Sequence, residues 1–160
     1  MAREVTSDSL VLRPANLADG ELLLAWRNDA ETRAASVDSA KVEPAGHRKW
    51  LAGSLASGDR CLMIAEVVGK PIGTVRADRC GDGWELSWTV APDARGLGYG
   101  ARMICQFAAL LAGTLSARIK PDNRASIRIA EATGFVAVGA STGGDLLRFV
   151  RAPDRGAPRS

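Results

Sequence analysis

A glycine-rich stretch in the middle of the chain limits the folds available to this sequence more than any other feature. It reads Val90-Ala-Pro-Asp-Ala-Arg95-Gly96-Leu97-Gly98-Tyr99-Gly100-Ala101. A strand-like apolar segment ends at a proline, glycines follow, and an amphipathic helix starts immediately. Glycine permits the positive φ values and the close backbone approach that such a turn needs. The exposed N–H groups and the positive end of the helix dipole would form a cradle for an anion such as a pyrophosphate.

The segments on either side of this loop alternate between strand and helix periodicity. The expected strands cover 9–14, 61–67, 71–76, 84–91, 114–120, 135–138 and 145–150, and the expected helices cover 19–28, 44–57, a stretch that starts near 100, and 123–133. The order β-α-α-β-β-β-α-β-α-β-β predicts an α+β protein with a mixed sheet and helices on its faces, not an all-parallel doubly wound sheet. A length of 160 residues fits one domain over 1–151 and a flexible tail over 152–160.

Charge and cysteine content argue against several functional classes. The formal net charge is only +3 and the basic residues are scattered, so no nucleic-acid partner is expected. Three cysteines without CxxC spacing and a single histidine indicate neither a disulfide framework nor a metal site. No apolar run approaches the ~18 residues of a membrane helix and the first residues lack a signal pattern. We therefore expect a cytoplasmic protein without a membrane partner.

Three interpretations of the glycine-rich loop compete on the residues alone. Gly96-Leu-Gly98-Tyr-Gly100-Ala101 satisfies the GxGxxA pattern of dinucleotide-binding folds. It lies in mid-chain after three strands, however, and no acidic residue about 20 positions later is placed to hold a ribose. A P-loop would need a Gly-Lys-Ser/Thr sequence, which does not follow here. The third interpretation is a flexible strand-to-helix turn that binds nothing.

The arginine of the loop and a second motif decide between these interpretations. Arg95-x-x-Gly98-x-Gly100, preceded by Val-x-Pro, resembles the acetyl-CoA pyrophosphate loop of the GCN5-related N-acetyltransferase (GNAT) family. The segment from Asn123-Arg-Ala-Ser126 to Gly134-Phe135 resembles the Asn-x-x-Ser/Ala…Gly-Phe motif of the same family, at the expected distance. The resemblance implies a mixed sheet of roughly six to seven strands that splays between its central strands, with about four helices on its faces. It also implies transfer of an acetyl group from acetyl-CoA to a primary amine.

The same resemblance assigns residues to acetyl-CoA, and it implies no metal. Where the strands at 84–91 and 114–120 splay apart, backbone groups would pair with the pantetheine arm at Trp88, Thr89 and Val90. Backbone amides would hold the pyrophosphate at Arg95, Gly96, Leu97, Gly98, Tyr99, Gly100 and Ala101. Asn123 would lie near the cofactor arm, although its position also fits an ordinary helix N-cap.

Acetyl transfer to an amine requires the ammonium group to lose a proton before it attacks the thioester. Glu85 is the candidate base, directly or through water, because the resemblance places it on the strand beside the thioester. Alternation along that strand puts it on the opposite face from Leu86. A solvent-facing strand glutamate is the competing interpretation. Many family members carry a tyrosine as general acid seven residues after the motif asparagine, and this sequence has Ala130 there, so we assign no general acid.

The N-terminal third is expected to select the amine. Leu24-Ala-Trp26-Arg27-Asn28-Asp29, His47-Arg-Lys-Trp50 and Gly73-Thr-Val-Arg76 resemble acetyltransferases of nucleotide-linked amino sugars in pseudaminic-acid and related nonulosonate pathways. The resemblance makes Arg27 the partner of a diphosphate, His47 or Trp50 a platform for a uracil ring, and Asn28 a further substrate contact. Core packing of the tryptophans, a buried structural histidine and a helix C-cap at Asn28 are the competing interpretations.

Two other functions stay open, together with a possible homodimer. The Leu-Arg-Pro start of the first strand is shared with enzymes that acetylate ribosomal proteins, so a protein amino terminus is one alternative acceptor. The missing tyrosine keeps open a non-catalytic acetyl-CoA sensor, which would bind without turnover. Polycationic aminoglycosides need clustered carboxylates, which the sequence does not show. Many relatives dimerise through their terminal strands, which makes the segment 145–150 a candidate interface.

Overall fold

The computed structural model describes residues 9–140 and 145–153, and their strands form one seven-stranded sheet. Its order is β1-β2-β3-β4-β5-β7-β6. Every neighbouring pair is antiparallel except β4 with β5. The strands are β1 (Leu10–Pro14), β2 (Arg60–Val67), β3 (Lys70–Cys80), β4 (Gly83–Val90), β5 (Leu115–Ile119), β6 (Val136–Ala140) and β7 (Leu147–Arg151).

Helices cover both faces of this sheet. They are α1 (Gly20–Asn28), α2 (Ala30–Ala35), α3 (Pro44–Ala56), α4 (Tyr99–Ala109) and α5 (Arg124–Ala132), with 3-10 turns at Leu17–Asp19 and Pro92–Ala94. The side chain of Arg60 on β2 donates a hydrogen bond to Ser54 of α3, so Arg60 lies on the face that α3 covers. Arg60 is directly opposite Asp78 of β3 in the sheet, which places Asp78 on the same face. A Cβ on Gly73, five residues earlier on β3, would lie 2.7 Å from Met103 of α4. Because faces alternate along a strand, α4 covers the opposite face.

The two central strands separate after a short parallel contact. Only Trp84 with Leu115 and Glu85 with Ser116 are paired between β4 and β5. From residue 86 to Val90, the edge of β4 that faces β5 has no strand partner within the described part of the chain. The predicted α+β class, the mixed sheet and the splay between its central strands are confirmed.

The core lies mainly between the sheet and α4. The apolar stripe of α4 buries Met103, Ile104 and Phe107 completely, each with 0% of its surface exposed. Leu51 of α3 fills the other face with 1% exposed. Burial of each such side chain contributes roughly 1.5–3 kcal/mol. This packing fixes the start of α4, and therefore the glycine-rich loop, against the end of β4.

Several sequence expectations need correction. The described residues contain five α-helices instead of about four. The additional helix is the six-residue α2, which has no apolar stripe that could have predicted it. It starts at the N-cap Asp29, whose side chain accepts a hydrogen bond from the N–H of Thr32. Asp19, the first residue of the expected helix 19–28, is the N-cap of α1, and its carboxylate binds Arg13 and the N–H of Asn16. Strand β3 extends to Cys80, and β7 ends at Arg151.

The remaining predictions about organisation are not decided by the fold. Residues 154–160 of the expected tail lie outside the described residues, so the single domain over 1–151 and its tail stay a prediction. Within residues 9–140 and 145–153, no helix is long and apolar enough to cross a membrane. The cytoplasmic location stays a prediction.

Candidate active site

The glycine-rich loop leaves open space at the N-terminus of α4. Gly96 has φ +77° and Gly98 has φ +80°, and a Cβ on either would meet no heavy atom within 4 Å. Gly98 is the N-cap of α4, and no side chain caps this helix end. The first amides of a helix have no intrahelical acceptor, and here they start at Tyr99. Glycine conformation, open space and an uncapped helix end together fit an anion such as a pyrophosphate.

Arg95 anchors this loop to α2 through its side chain. Its guanidinium donates to Asp29 Oδ2 at 2.6 Å, to Glu31 Oε2 at 2.7 Å and to Thr32 Oγ1 at 3.0 Å. The ion pair with Arg95 holds the pKa of Asp29 below its ordinary value. Arg95 therefore positions the loop, while its backbone remains the part assigned to the pyrophosphate. Sequence reasoning missed this contact because the two segments lie more than sixty residues apart.

The part of β4 that has separated from β5 includes a side chain with an unpaired hydrogen-bond donor. Trp88 Nε1 is buried and has no hydrogen-bond partner among the described residues. Unpaired buried donors are rare in native proteins, and they point to a ligand or water that is needed to complete them. Trp88 lies on the part of β4 that has separated from β5. A pantetheine arm carries amides that can pair with the free backbone edge of β4 as a further strand does, so the cleft fits acetyl-CoA.

The second motif forms the start of α5. Asn123 Oδ1 accepts a hydrogen bond from the Ser126 N–H at 3.2 Å and caps this helix. The ordinary capping role is therefore present, and contact with the cofactor arm stays a prediction. Ala130, at the position of the family tyrosine, has 0% of its surface exposed. A buried methyl group cannot donate a proton, which agrees with the absence of an assigned general acid.

Glu85 lies on the face that α3 covers, opposite to the buried Leu86. Its carboxylate accepts from Arg118 Nε at 2.6 Å across the closed end of the β4–β5 contact. The side chain retains 30% exposure, so a substrate or water can still approach it. A base at this position would have to act while paired with a cation, which the sequence did not indicate.

Two of the four predicted substrate residues bind other parts of the protein. Asn28 uses both ends of its amide on the backbone of Val42, donating at 2.9 Å and accepting at 2.8 Å. Arg27 donates to the Asp38 carbonyl at 2.6 Å and to Ser36 Oγ at 3.4 Å. Both residues therefore fix the segment between α2 and α3. Asp29 is the C-cap of α1, so the predicted cap at Asn28 is wrong by one residue.

His47 and Trp50 lie side by side on α3. Their ring centroids are 5.4 Å apart. His47 is 4% exposed, and burial, together with the charge of Arg27, lowers its pKa. The imidazole is therefore neutral near pH 7 and is not accessible to a ligand in this conformation. Trp50 is only half-buried and remains the one predicted acceptor contact of the four with an accessible ring.

A charged group on the same sheet face was missed by sequence reasoning. Asp78 accepts from Arg60 Nε at 2.5 Å and from Arg76 Nε at 3.1 Å. Asp78 is also the register partner of Glu85 on β4. The alternating polar positions on β3 and β4 could have indicated this group, but the partners on β2 depend on a register that the sequence does not state. Within the described residues as a whole, no cluster of His, Cys, Asp or Glu could hold a metal ion.

A cavity of about 590 Å³ adjoins the loop at the end of β4. It lies between the end of α1, the segment before α3 and the turn after β4. Its lining includes Asn28, Asp29, Glu43, Pro92 and Asp93. Two of its carboxylates are neutralised, Asp29 by Arg95 and Asp93 by Lys70. The cavity therefore lies next to the turn that leads from β4 into the glycine-rich loop.

Comparisons with known proteins agree with this fold. The family model "Acetyltransferase (GNAT) domain" matches residues 9–136. No curated protein matches the chain. A structure of AAC(6')-Ib with paromomycin and acetyl-CoA is 22% identical, has a TM-score of 0.80, and covers 95% of this chain and 100% of its own. Spermidine N-acetyltransferase from Vibrio cholerae, with CoA and spermine, is 15% identical at a TM-score of 0.81, covering 91% of this chain and 96% of its own.

A third similar structure is that of a putative phosphinothricin N-acetyltransferase, 25% identical with a TM-score of 0.74, covering 90% of this chain and 98% of its own. The family match spans well over half of the 160 residues, so this chain belongs to the GNAT acetyltransferase domain family. It is an acetyl-CoA-dependent N-acetyltransferase. The relatives with bound ligands hold small amine acceptors and acetyl-CoA or CoA.

Proposed function

We propose that this enzyme acetylates a primary amine on a small molecule that carries negative charge elsewhere, and that a nucleotide-linked amino sugar is the acceptor. Acetyl-CoA supplies the acyl group. The single observation that carries the proposal is the excess of positive charge on the sheet face that bears Glu85. The resemblance of the N-terminal third to nucleotide-amino-sugar acetyltransferases points in the same direction.

The ion-paired side chains around Asp78 and Glu85 on that face carry one net positive charge. Arg60, Arg76 and Arg118 contribute three positive charges, and Asp78 and Glu85 contribute two negative ones. Each carboxylate is already paired with at least one arginine. A polycation such as spermine would meet few uncompensated carboxylates here, whereas an anionic acceptor would complete the charge balance.

Glu85 is the candidate for removing the proton from the acceptor ammonium, directly or through water. It lies beside the point where β4 and β5 separate. Backbone groups of Trp88 and Val90 on the free edge of β4 are proposed to bind the pantetheine arm, whereas strand alternation turns the N–H of Thr89 towards β3. Backbone amides of the loop, from Arg95 to Ala101, are proposed to bind the pyrophosphate. The cofactor contact of Asn123 belongs to the same proposal.

The test is a thiol-release assay with matched acceptors. A UDP-linked 4-amino sugar would be compared with the same amino sugar lacking the nucleotide, with spermidine, with an aminoglycoside and with a peptide that has a free amino terminus. We expect kcat/KM for the nucleotide sugar to exceed that for the bare sugar by at least tenfold, because the phosphates contribute binding to the basic face.

Equal values for the two sugars, or faster turnover of spermidine or the peptide, would overturn the proposed acceptor while leaving the enzyme class intact. Acetyl-CoA binding without release of the coenzyme A thiol in the presence of any of these amines would instead favour the sensor function. Free coenzyme A release without acceptor serves as the background and is subtracted in each case.

A further inference from the structure

Four side chains on the face covered by α3 form a compact basic group around an aromatic ring, and we name Trp50, Arg60, Arg76 and Asp78 the Trp50 cluster. The guanidinium carbons of Arg60 and Arg76 each lie 5.8 Å from the Trp50 ring centroid. Both Nε atoms donate to the single carboxylate of Asp78. None of these four side chains is assigned to the binding of acetyl-CoA.

The sheet register places the Trp50 cluster beside the candidate base. Arg60, Asp78 and Glu85 are successive partners across β2, β3 and β4. Arg76 is paired with Ser87 in the next row on the same face. Directly opposed residues have Cβ atoms about 4.5–5.5 Å apart. An acceptor whose amine lies at Glu85 would therefore carry its neighbouring groups across Ser87 and Asp78 to the two arginines.

The Trp50 cluster holds more positive charge than it neutralises internally. One carboxylate faces two guanidinium groups, whose side chains are only 30% and 34% exposed. Arg60 donates a further hydrogen bond to Ser54 Oγ at 2.9 Å. Within the described residues, the terminal nitrogens of Arg76 make no hydrogen bond. Two half-buried guanidinium groups held at one ring leave planar donors that match the oxygens of a phosphate.

We infer that Arg76, supported by Arg60, binds a phosphate group of the acceptor on the face that bears Glu85. This inference rests on the proposed nucleotide-linked acceptor and names the residues that hold its charged part. Asp78 orients both guanidinium groups and limits the affinity for the anion by occupying their Nε atoms. Arg27, the residue that the sequence suggested for this role, keeps its contacts with Ser36 and Asp38.

The probe is UDP, titrated calorimetrically into the protein with coenzyme A at saturation, so that the glycine-rich loop is already occupied. Arg76→Gln should weaken UDP binding by tenfold or more. Asp78→Asn should tighten it about twofold or more, because it releases both arginines and adds one net positive charge. Arg79→Gln is the matched control, since Arg79 lies on the same strand but stacks on Trp84 on the other face.

Opposite effects of the Arg76 and Asp78 substitutions, with the Arg79 control unchanged, support the phosphate subsite. A purely structural role would weaken binding in both variants or in neither, and either result overturns the inference. Turnover of the nucleotide sugar with a KM unchanged by Arg76→Gln would also overturn it while leaving the proposed acceptor in place. UDP binding that shows the opposite effects, without turnover of the nucleotide sugar, would keep the subsite and refute the proposed function.

Discussion

Alanine at Gly98 should impair acetyl-CoA binding far more than it impairs folding. Gly98 has φ +80°, and a Cβ there would project into open space beside the uncapped start of α4. The methyl group therefore meets no protein atom, but it occupies the space that an anion needs to approach the amides. Gly81, in the turn between β3 and β4, has φ +60° and equally open surroundings. Gly81→Ala is thus a control with similar backbone strain and no expected ligand.

The two effects have different sizes. A non-glycine residue in the left-handed region costs about 1–2 kcal/mol, so each substitution should lower the melting temperature by roughly 2–8 °C. A hydrogen bond from an amide to a charged group contributes about 1.5–3 kcal/mol. Loss of one such bond at Gly98 should weaken acetyl-CoA binding by roughly 10- to 150-fold.

Isothermal calorimetry with acetyl-CoA and thermal unfolding of the free proteins would measure both quantities. Similar losses of melting temperature in the two variants, with weakened binding only in Gly98→Ala, would support the pyrophosphate assignment. Equal acetyl-CoA affinity of Gly98→Ala and the unchanged protein would refute the pyrophosphate assignment, since the loop would then not be the site of anion contact.

Three further substitutions test separate parts of the structure. Glu85→Gln should lower kcat/KM by about 100-fold or more, mainly at low pH, where the amine is hardest to deprotonate; an unchanged pH–rate profile removes Glu85 from the mechanism. Burial lowers the pKa of His47, the only histidine, so its neutral form stabilises the fold fully above pH ~6.5. As the pH falls below that value, the free energy of unfolding should decrease by up to ~1.4 kcal/mol per pH unit. Chemical denaturation of His47→Gln should not show this decrease, and the same decrease in the variant would contradict the burial argument. Arg95→Gln should cost about 1–3 kcal/mol of stability, because Asp29 and Glu31 lose their partner. It should also weaken acetyl-CoA binding several-fold, and denaturation and calorimetry measure the two effects. An unchanged affinity would mean that α2 does not position the loop.

The sequence was sufficient for the parts of this structure that depend on local chemistry. The turn at Gly96 and Gly98 follows from the demand for positive φ, and the cap at Asn123 follows from its place before an amphipathic helix. The order of strand and helix periods predicted the mixed sheet. The splay between β4 and β5 was predicted from the family resemblance, since no residue pattern indicates where the hydrogen bonding between two strands ends.

Contacts between distant segments could not be predicted in the same way. Arg95 was expected to contribute only its backbone, yet its side chain joins α2, a helix too short to leave a periodic signal. Asn28 looked like a helix cap or a substrate contact, but it binds Val42 because the chain folds back there. The Trp50 cluster depends on the register of β2 against β3, which includes an irregularity at Ala65.

The most direct test of the proposed acceptor is mass spectrometry after incubation with acetyl-CoA and a UDP-linked 4-amino sugar. We expect a product that carries one added acetyl group on the sugar amine, formed faster than on the same sugar without its nucleotide. An unmodified nucleotide sugar, in a preparation that binds acetyl-CoA and acetylates spermidine or a peptide, would contradict it.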